Sequence, residues 1–296
     1  MSATAPATAP SAATPLALAR SFLFVPANRP ERYAKALASG AGAVIIDLED
    51  AIAPDDKRAA RAQLEAAFAD VLMADRARVL VRINASGTAW HSADLALTGK
   101  LAHLGLAGVV LPKAESRDEV AHLAASVGQG CPLLPMIESA AGLEAINSIA
   151  HSPQVARLLF GNLDFQADLG MACGPDEAEL QPVRMALVMA SRRAGLAPPV
   201  DGVTAATGDL EQLQKDAERS RRSGFGARLC IHPAQVAVVN AALAPTAAEL
   251  DWARRVLQAS RDTQSGVFTL DGRMVDAPVL LLARRMLGLP AKSGFG

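Results

Sequence analysis

Short apolar runs rich in Val, Ile and Leu alternate with longer amphipathic stretches rich in Ala, Arg and Glu from Arg20 onward. Apolar runs of this length, bounded by Gly, Pro or Asn, are typical of buried strands. Eight of them follow one another along the chain: Ser21–Pro26, Ala43–Leu48, Val79–Asn84, Gly108–Pro112, Pro132–Glu138, Ala156–Gly161, Pro199–Val203 and Arg228–Pro233.

The stretches between these runs carry helix start and stop signals. Pro30 opens one helix that ends at Gly40. Ser116 and Glu119 form the Ser-x-x-Glu pattern of a capping box. Eight strand–helix units predict an α/β protein, a TIM (β/α)8 barrel with a C-terminal helical extension. The alternative is an open doubly wound sheet, but that fold favours a glycine-rich loop after the first strand, and the residues there, VPANRP, include no glycine.

The regions that flank the predicted barrel of residues 20–245 differ from it in composition. Residues 1–19 are rich in Ala, Pro, Thr and Ser and lack a charged side chain, which predicts a disordered tail. A cleaved targeting peptide is the alternative for this segment. The sequence pattern of residues 246–296 predicts a charged helix, a small hairpin and a second helix. This extension is expected to pack under its own barrel or on a neighbouring subunit.

Composition and charge exclude several classes of protein. A hydrophobic content of 51% excludes a fully disordered chain. A net charge of −1 and an aromatic content of 4% argue against a nucleic-acid partner. The apolar runs are too short for a membrane span, so no membrane partner is expected. The three cysteines, Cys131, Cys173 and Cys230, are far apart, which favours a reducing, cytoplasmic location.

Charged and amide side chains end or follow most of the predicted strands. TIM-barrel active sites lie at the C-terminal ends of the strands. Because alternate residues share a strand face, Arg82 and Asn84 are expected on one face, with Arg82 one layer deeper. The candidates are Glu49, Asp50, Arg82, Asn84, Lys113, Glu138, Asp164, Asp201 and His232.

Glu138 and Asp164 follow neighbouring predicted strands and are candidate metal ligands. Mg²⁺ commonly binds through one or two protein carboxylates and keeps its other positions for water or substrate. Histidine pairs at zinc spacing are missing from the sequence, which disfavours zinc. A structural ion pair between Glu138 and Arg82 is the alternative. A further alternative is that Lys113 forms a Schiff base with the substrate, as in a metal-free aldolase.

Six ordered segments, together with Gly272–Val279, resemble the citrate lyase β-subunit family of CoA-ester lyases, which includes malyl-CoA and citramalyl-CoA lyases. The six are Arg20–Arg61, Val81–Asn84, Leu111–Ser116, Pro135–Leu143, Phe160–Gly170 and Cys230–Val236. The resemblance implies a Mg²⁺-dependent barrel enzyme, usually trimeric or hexameric. Such an enzyme cleaves a 3-hydroxyacyl-CoA into acetyl-CoA and a 2-oxo acid, or forms it.

By motif position, the resemblance implies that Glu138 and Asp164 hold the metal. It also implies that Arg82 is catalytic and, with Glu138, binds the substrate. Two positions depart from many relatives: Leu163 stands where an acidic residue is common, and Arg228 stands where lysine is common. Both differences are expected to affect the choice of substrate rather than the chemistry.

The resemblance also implies that Asp276 reaches a neighbouring subunit's site as the proton-transfer residue, and that Arg20 and Lys57 lie near the CoA phosphates. Asp276 has an alternative interpretation as a turn or helix-cap residue. A malyl-CoA thioesterase and a class II 2-oxo acid aldolase are the alternative enzymes. A non-catalytic subunit that binds a CoA ester is the alternative outside enzymes.

Overall fold

The computed structural model describes residues 14–70, 72–263 and 267–289. The chain divides into two compact units, one of Ala13–Leu243 and another that includes Ala244–Gly296. Among the described residues, the structure contains no helix with the length and apolar character needed to cross a bilayer.

Eight parallel strands close into a barrel in chain order, which confirms the predicted TIM (β/α)8 fold. The strands are β1 (Ser21–Pro26), β2 (Ala43–Asp47), β3 (Val79–Arg82), β4 (Gly108–Leu111), β5 (Leu133–Ile137), β6 (Leu159–Phe160), β7 (Val200–Asp201) and β8 (Ala227–Cys230). The barrel closes between β1 and β8, where Phe22 lies opposite Leu229.

Helices connect the strands of the barrel unit, and the predicted capping box is present at Ser116 and Glu119. The helices are α1 (Pro15–Leu18), α2 (Tyr33–Leu37), α3 (Lys57–Ala69), α4 (His91–His103), α5 (Arg117–Val127), α6 (Ala140–Glu144), α7 (Ile146–Ala150), α8 (Asn162–Leu169), α9 (Gln181–Arg193), α10 (Leu210–Arg222) and α11 (Pro233–Leu243).

The strand side chains form two apolar layers on opposite faces of the barrel wall. Ile45, Leu80 and Leu229 belong to the cluster that fills the barrel interior. Val81 belongs to the larger cluster between the strands and the helices. Because side chains alternate along a strand, Arg82 lies on the interior face with Leu80.

Residues 14–19 differ from the predicted disordered tail, because they form α1 and a short connection to β1. Leu16 and Ala19 are buried. The guanidinium of Arg157, itself buried, donates to the carbonyl oxygens of Leu16 at 3.1 Å and Ala19 at 2.8 Å. A buried guanidinium requires acceptors, and this segment supplies them, which ties it to the barrel. The rest of the predicted tail, residues 1–13, lies outside the described residues.

The C-terminal unit contains α12 (Ala247–Asp262), the antiparallel hairpin of β9 (Phe268–Leu270) and β10 (Arg273–Val275), and α13 (Ala277–Met286). A capping box at Thr246 begins α12. A small apolar cluster that includes Val256 and Ala283 joins its elements. The order of helix, hairpin and helix is the one that the sequence predicts.

Asp201 does not belong to the mouth of the barrel, where the sequence analysis placed it. Its strand neighbour Val200 fills the interior, so Asp201 faces the surrounding helices. There it pairs with Arg184 at 3.1 Å and Arg228 at 3.2 Å and accepts a hydrogen bond from Ser220. Burial alone would raise the pKa of Asp201, but the two guanidinium groups hold it below its ordinary value.

We expect Asp201→Asn to lower the free energy of unfolding at pH 7 by about 3–5 kcal/mol, because it removes the fully buried carboxylate that Arg184 and Arg228 share. The lowered pKa of Asp201 means that its stabilisation is present above the ordinary aspartate range and is lost as the pH falls through the folded-state value. The difference between the two proteins should therefore shrink in acid. Urea denaturation at several pH values measures it.

The matched control is Glu211→Gln, which removes a carboxylate from an exposed ion pair with Lys215. We expect this variant to unfold within about 0.5 kcal/mol of the wild type. Equal stability of the Asp201→Asn protein and the wild type at pH 7 would contradict the importance of the buried pairs.

Candidate active site at the mouth of the barrel

A cavity of about 400 Å³ lies at the C-terminal ends of the strands. Its lining combines acidic, basic and apolar side chains. The lining residues are Phe24, Pro26, Asp47, Asp50, Ala51, Arg82, Met136, Glu138, Gly161, Asn162, Leu163, Asp164, Val203, Leu229 and Ile231. The cavity therefore contains the three residues for which the sequence predicts metal and substrate binding.

Arg82 is held in place by carboxylates from the neighbouring strand and the loop that follows it. Its Nε and Nη2 donate to the two carboxylate oxygens of Asp47, each at 2.7 Å. Its Nη1 lies 2.9 Å from Glu49 and 3.6 Å from Asp50. Burial would lower the pKa of Arg82, but Asp47 and its other acidic neighbours raise it, so the group stays charged. The partners of Arg82 are thus Asp47 and Glu49 rather than Glu138.

Asn84 does not lie above Arg82 in the mouth, contrary to the expected layering. The strand β3 ends at Arg82, so the strict alternation of faces ends there too. The side-chain amide of Asn84 donates to Asp94 at 2.6 Å and to the carbonyl oxygen of Leu48 at 3.0 Å. Asn84 therefore supports the loop after β2 instead of lining the cavity.

Lys113 brings a second positive charge to the acidic side of the cavity. Its Nζ lies 2.6 Å from Glu49 and 3.9 Å from both Asp50 and Asp164. Burial would lower the pKa of Lys113, but the hydrogen bond with Glu49 raises it to about 12. A Schiff base forms from a neutral amine, so this environment disfavours the metal-free aldolase alternative.

Glu138 is 2% exposed and has a fixed position. Its Oε2 accepts a hydrogen bond from the backbone N–H of Lys113 at 2.7 Å. Its other oxygen packs against Gly161, where an added Cβ would lie 2.3 Å from Oε1. Burial, and then the charges of Glu49 and Asp164, raise the pKa of Glu138 to about 8. The nearby cations therefore balance the negative charge of Glu138 only in part.

The acidic groups at the mouth outnumber the basic ones. Five carboxylates (Asp47, Glu49, Asp50, Glu138 and Asp164) surround two cations (Arg82 and Lys113). Within the described ranges, no three His, Cys, Asp or Glu side chains are grouped to hold a metal by themselves. The carboxylates of Glu138 and Asp164 are hard oxygen donors that lie beside excess negative charge. This donor set fits a divalent cation that completes its coordination with water or substrate oxygens.

Lys57 cannot serve as a free phosphate ligand, which corrects the expectation that it contacts CoA. Its ammonium donates to the carbonyl oxygens of Leu48 and Glu49 and to Oδ1 of Asn84, each at 2.7 Å. It is 5% exposed, and burial lowers its pKa. All three of its N–H groups are therefore used to hold the loop that carries Glu49.

Two further candidate residues, Arg20 and His232, do not line the cavity. Arg20 precedes β1 and is exposed at the N-terminal end of the barrel. The six residues of β1 span about 20 Å, which separates Arg20 from the cavity at the other end. The structure therefore does not bring Arg20 to the site. His232 is exposed, and its Nδ1 accepts a hydrogen bond from the backbone N–H of Ala234 at 3.2 Å.

Asp276 lies in the C-terminal unit as the N-cap of α13. Its side chain accepts a hydrogen bond from the backbone N–H of Val279 at 3.3 Å. This is the helix-cap interpretation that the sequence left open. The cap uses one carboxylate oxygen, and Asp276 is half-buried, so a second role for its carboxyl group stays a prediction.

Asp47, Asn162 and Glu177 also support the site, although the sequence analysis did not select them. Asp47 is the one charged residue in the apolar strand β2 and lies opposite Arg82 across the strand pair. The feature of the sequence that could have identified Asp47 is a single aspartate at the end of an otherwise apolar strand. Asn162 and Glu177 interact across 15 residues of chain, and the sequence shows no spacing that would pair them.

An eight-stranded parallel barrel with a charged cavity at its C-terminal mouth defines a TIM-barrel enzyme as the class of protein. Residues 20–233 match the family described as HpcH/HpaI aldolase/citrate lyase, and the chain belongs to this family. The resemblance seen in the sequence is thus confirmed.

Several known proteins are similar over nearly the whole chain. A citrate lyase subunit beta-like protein of Mycobacterium tuberculosis is 39% identical over 90% of this chain and 93% of its own length. A (3S)-malyl-CoA thioesterase of Cereibacter sphaeroides is 34% identical with the same coverage. The crystal structure of CitE from M. tuberculosis in complex with magnesium, acetoacetate and coenzyme A has a TM-score of 0.78. It is 38% identical and is matched over 92% of this chain and 98% of that one.

We expect Gly161→Ala to displace the carboxylate of Glu138, because the new Cβ would overlap it. Overpacking of this kind typically costs about 1–3 kcal/mol of the free energy of unfolding. Gly208→Ala is the control, since no atom lies within 4 Å of its added Cβ. Urea denaturation compares the two variants, and equal midpoints would show that the contact between Gly161 and Glu138 is not tight.

Proposed function

We propose that the protein is a Mg²⁺-dependent carbon–carbon lyase. It cleaves a 3-hydroxyacyl-CoA ester of the citramalyl-CoA, malyl-CoA or citryl-CoA type into acetyl-CoA and a 2-oxo acid. The observation that carries this proposal is the pair of carboxylates, Glu138 and Asp164, in one cavity with the charged guanidinium of Arg82. The related CitE, crystallised with magnesium and coenzyme A, supports it.

Glu138 and Asp164 would hold the metal, which when bound supplies Lewis-acid polarisation of substrate oxygens. Glu138 is positioned for this role by the N–H of Lys113 and by Gly161. Arg82 presents its Nη1 edge toward the acidic loop, because Asp47 occupies its Nε and Nη2. The N–H groups of Arg82 that Asp47 and Glu49 do not take are available to a carboxylate or to the oxygen that becomes negatively charged during cleavage.

Cleavage breaks the bond between C2 and C3 of the acyl group. The 3-hydroxyl loses its proton to a base, and its oxygen becomes the carbonyl of the 2-oxo acid. The bonding electron pair moves to C2 and forms the enolate of acetyl-CoA. That enolate takes a proton from Asp276, and in the condensation direction Asp276 removes the same proton. Arg82 stabilises negative charge on the 3-oxygen throughout.

Asp276 would act in the site of a neighbouring subunit, so the proposal includes a homo-oligomer, a trimer or hexamer. We also propose a cytoplasmic location. Cys131, Cys173 and Cys230 are free thiols, and two of them are buried, which suits a reducing compartment.

Thioester hydrolysis is the second candidate function, because a relative that is 34% identical is a (3S)-malyl-CoA thioesterase. The two activities release different products from the same substrate. A lyase releases acetyl-CoA and a 2-oxo acid, whereas a thioesterase releases the free hydroxy acid and CoA. Incubation with Mg²⁺ and a panel of malyl-, citramalyl- and citryl-CoA distinguishes them, with the products identified by mass spectrometry.

We expect Glu138→Gln to lower kcat/KM for the cleaved ester by at least about 100-fold, since loss of even an outer-shell partner typically costs 10–100-fold. The amide is nearly isosteric but is a weaker metal ligand. The Mg²⁺ affinity of the same variant, measured by calorimetry, should fall with the activity.

Glu144→Gln is the matched control, since Glu144 is an exposed glutamate on the helix that follows Glu138. Its activity should equal that of the wild type. Undiminished turnover and Mg²⁺ binding in Glu138→Gln would show that the metal site is assigned wrongly.

We expect Asp276→Asn to lower kcat by about 10²–10⁴-fold, the usual contribution of a positioned general acid. Asparagine caps helices about as well as aspartate, so the helix should stay intact and Mg²⁺ affinity should not change. Asp276→Ala removes both properties and should cost about 1 kcal/mol more in stability. If Asp276→Asn kept full activity, capping would be the only role of Asp276.

A further inference from the structure

The structure assigns Glu177 a positioning role: it fixes the turn that carries Asp164 by holding the side chain of Asn162. This inference rests on the proposed metal site of Glu138 and Asp164. Glu177 itself is not part of the cavity lining. Its effect on the metal would therefore be indirect, and Asn162, which does line the cavity, is the residue that connects the two.

Asn162 lies at the point where the barrel wall becomes the metal-binding turn. It is the first residue of α8, two positions before Asp164, and it directly follows the glycine against which Glu138 packs. Its Oδ1 accepts from the N–H of Val203 at 2.9 Å. Its Nδ2 donates to the carbonyl oxygen of Val203 at 3.2 Å and to Oε1 of Glu177 at 2.9 Å. Asn162 thus joins the start of α8 to the loop after β7.

The side chain of Asn162 is tightly packed. An added Cβ on Gly202 would lie 2.1 Å from its Oδ1, so the side chain packs directly against backbone. Asn162 is 1% exposed, and water is therefore a poor substitute for its protein partners. The carboxylate of Glu177 is the side-chain acceptor for this amide, and the backbone of Val203 supplies its other two partners.

Glu177 is itself held firmly. Its Oε2 pairs with Arg184 and, at 2.8 Å, with Arg219, while its Oε1 is left for Asn162. Its backbone has a φ of 44°, in the left-handed region that non-glycine residues rarely adopt. Such a conformation persists where the surroundings impose it. Here the two guanidinium groups and the amide of Asn162 are the contacts that do so.

The same two arginines connect Glu177 to the barrel wall. Arg184 pairs with Asp201 on β7, and Arg219 pairs with Asp216 on α10 at 3.0 Å. A continuous series of contacts therefore runs from β7 through Arg184 and Glu177 to the start of α8. Loss of the Glu177 carboxylate would remove one of the three hydrogen bonds of the Asn162 amide, while the rest of the ionic network stays connected through Asp201 and Asp216.

The test titrates Mg²⁺ alone into the metal-free, full-length protein by calorimetry. Glu177→Gln replaces the acceptor with an amide that cannot satisfy both arginines and Asn162. We expect its Mg²⁺ affinity to be about 10–100-fold weaker, the usual effect of losing an outer-shell partner. Asp216→Asn is the matched control. It removes a carboxylate from the same network, where Asp216 pairs with Arg219 and Arg228, but Asp216 does not contact Asn162.

The Asp216→Asn protein should bind Mg²⁺ as the wild type does, even if its thermal stability falls. Asn162→Ala, which leaves every ion pair of Glu177 in place, should weaken Mg²⁺ binding to the same extent as Glu177→Gln. The double variant should be no weaker than either single one, because both act at one contact.

Wild-type affinity in Glu177→Gln or in Asn162→Ala would overturn the inference. An equal loss in Asp216→Asn would overturn it too, because the effect would then belong to the ionic network as a whole. If Glu177→Gln does not fold, Asn162→Ala decides the matter alone. Failure of the wild type to bind Mg²⁺ would overturn the proposed metal site itself, and this inference with it.

Discussion

Mutual repulsion of carboxylates at the mouth of the barrel is the constraint on which the rest of the site depends. Arg82 offsets this repulsion most directly, because its guanidinium donates to both carboxylate oxygens of Asp47 and forms an ion pair with Glu49. Lys113 adds a second cation on the opposite side of Glu49. Negative charge nevertheless stays in excess at Glu138, whose pKa is raised to about 8. A divalent cation and an anionic, oxygen-rich substrate are the ligands that such a site accommodates.

Two buried polar clusters hold this arrangement from outside the cavity. Behind β2 and β3, the ammonium of Lys57 and the amide of Asn84 fix the loop that carries Glu49, and Asp94 accepts from Asn84. Behind β6 and β7, Glu177 and its arginines fix the start of α8. Several hydrogen bonds or ion pairs hold each of these groups, so the clusters restrict the motion of the segments that they contact. Part of the preorganisation of the site therefore comes from groups that do not line the cavity.

The fold could be predicted from the sequence because each strand–helix unit repeats the same local signals. The apolar run of β1 and the capping box of α5 are two examples in which structure and sequence pattern coincide. Strands β6 and β7 are shorter than their apolar runs, since pairing with neighbours decides where a strand ends. The clustering of Arg82, Glu138 and Asp164 followed from the rule that barrel strands present their C-terminal ends together.

The contacts within the site could not be predicted in the same way. Lys57 was expected near the CoA phosphates. Its ammonium instead donates to three protein acceptors, two in the loop after β2 and one on Asn84. Arg20 belonged to a matching motif, yet strand direction places it at the far end of the barrel. Asp201 lies within the predicted strand Pro199–Val203, but the face on which it lies is set by the register with β8. For Lys57 and Asp201, a contact between residues distant in the sequence decides the position, and one sequence carries little information about such contacts.

The central claim is that Glu138 and Asp164 form the metal site of this barrel. Anomalous diffraction from crystals grown with Mn²⁺, which shares the oxygen ligands and octahedral geometry of Mg²⁺, tests it most directly. The account predicts a peak within coordination distance of a carboxylate oxygen of both residues. A peak elsewhere, or no peak at the mouth of the barrel at saturating Mn²⁺, would contradict it.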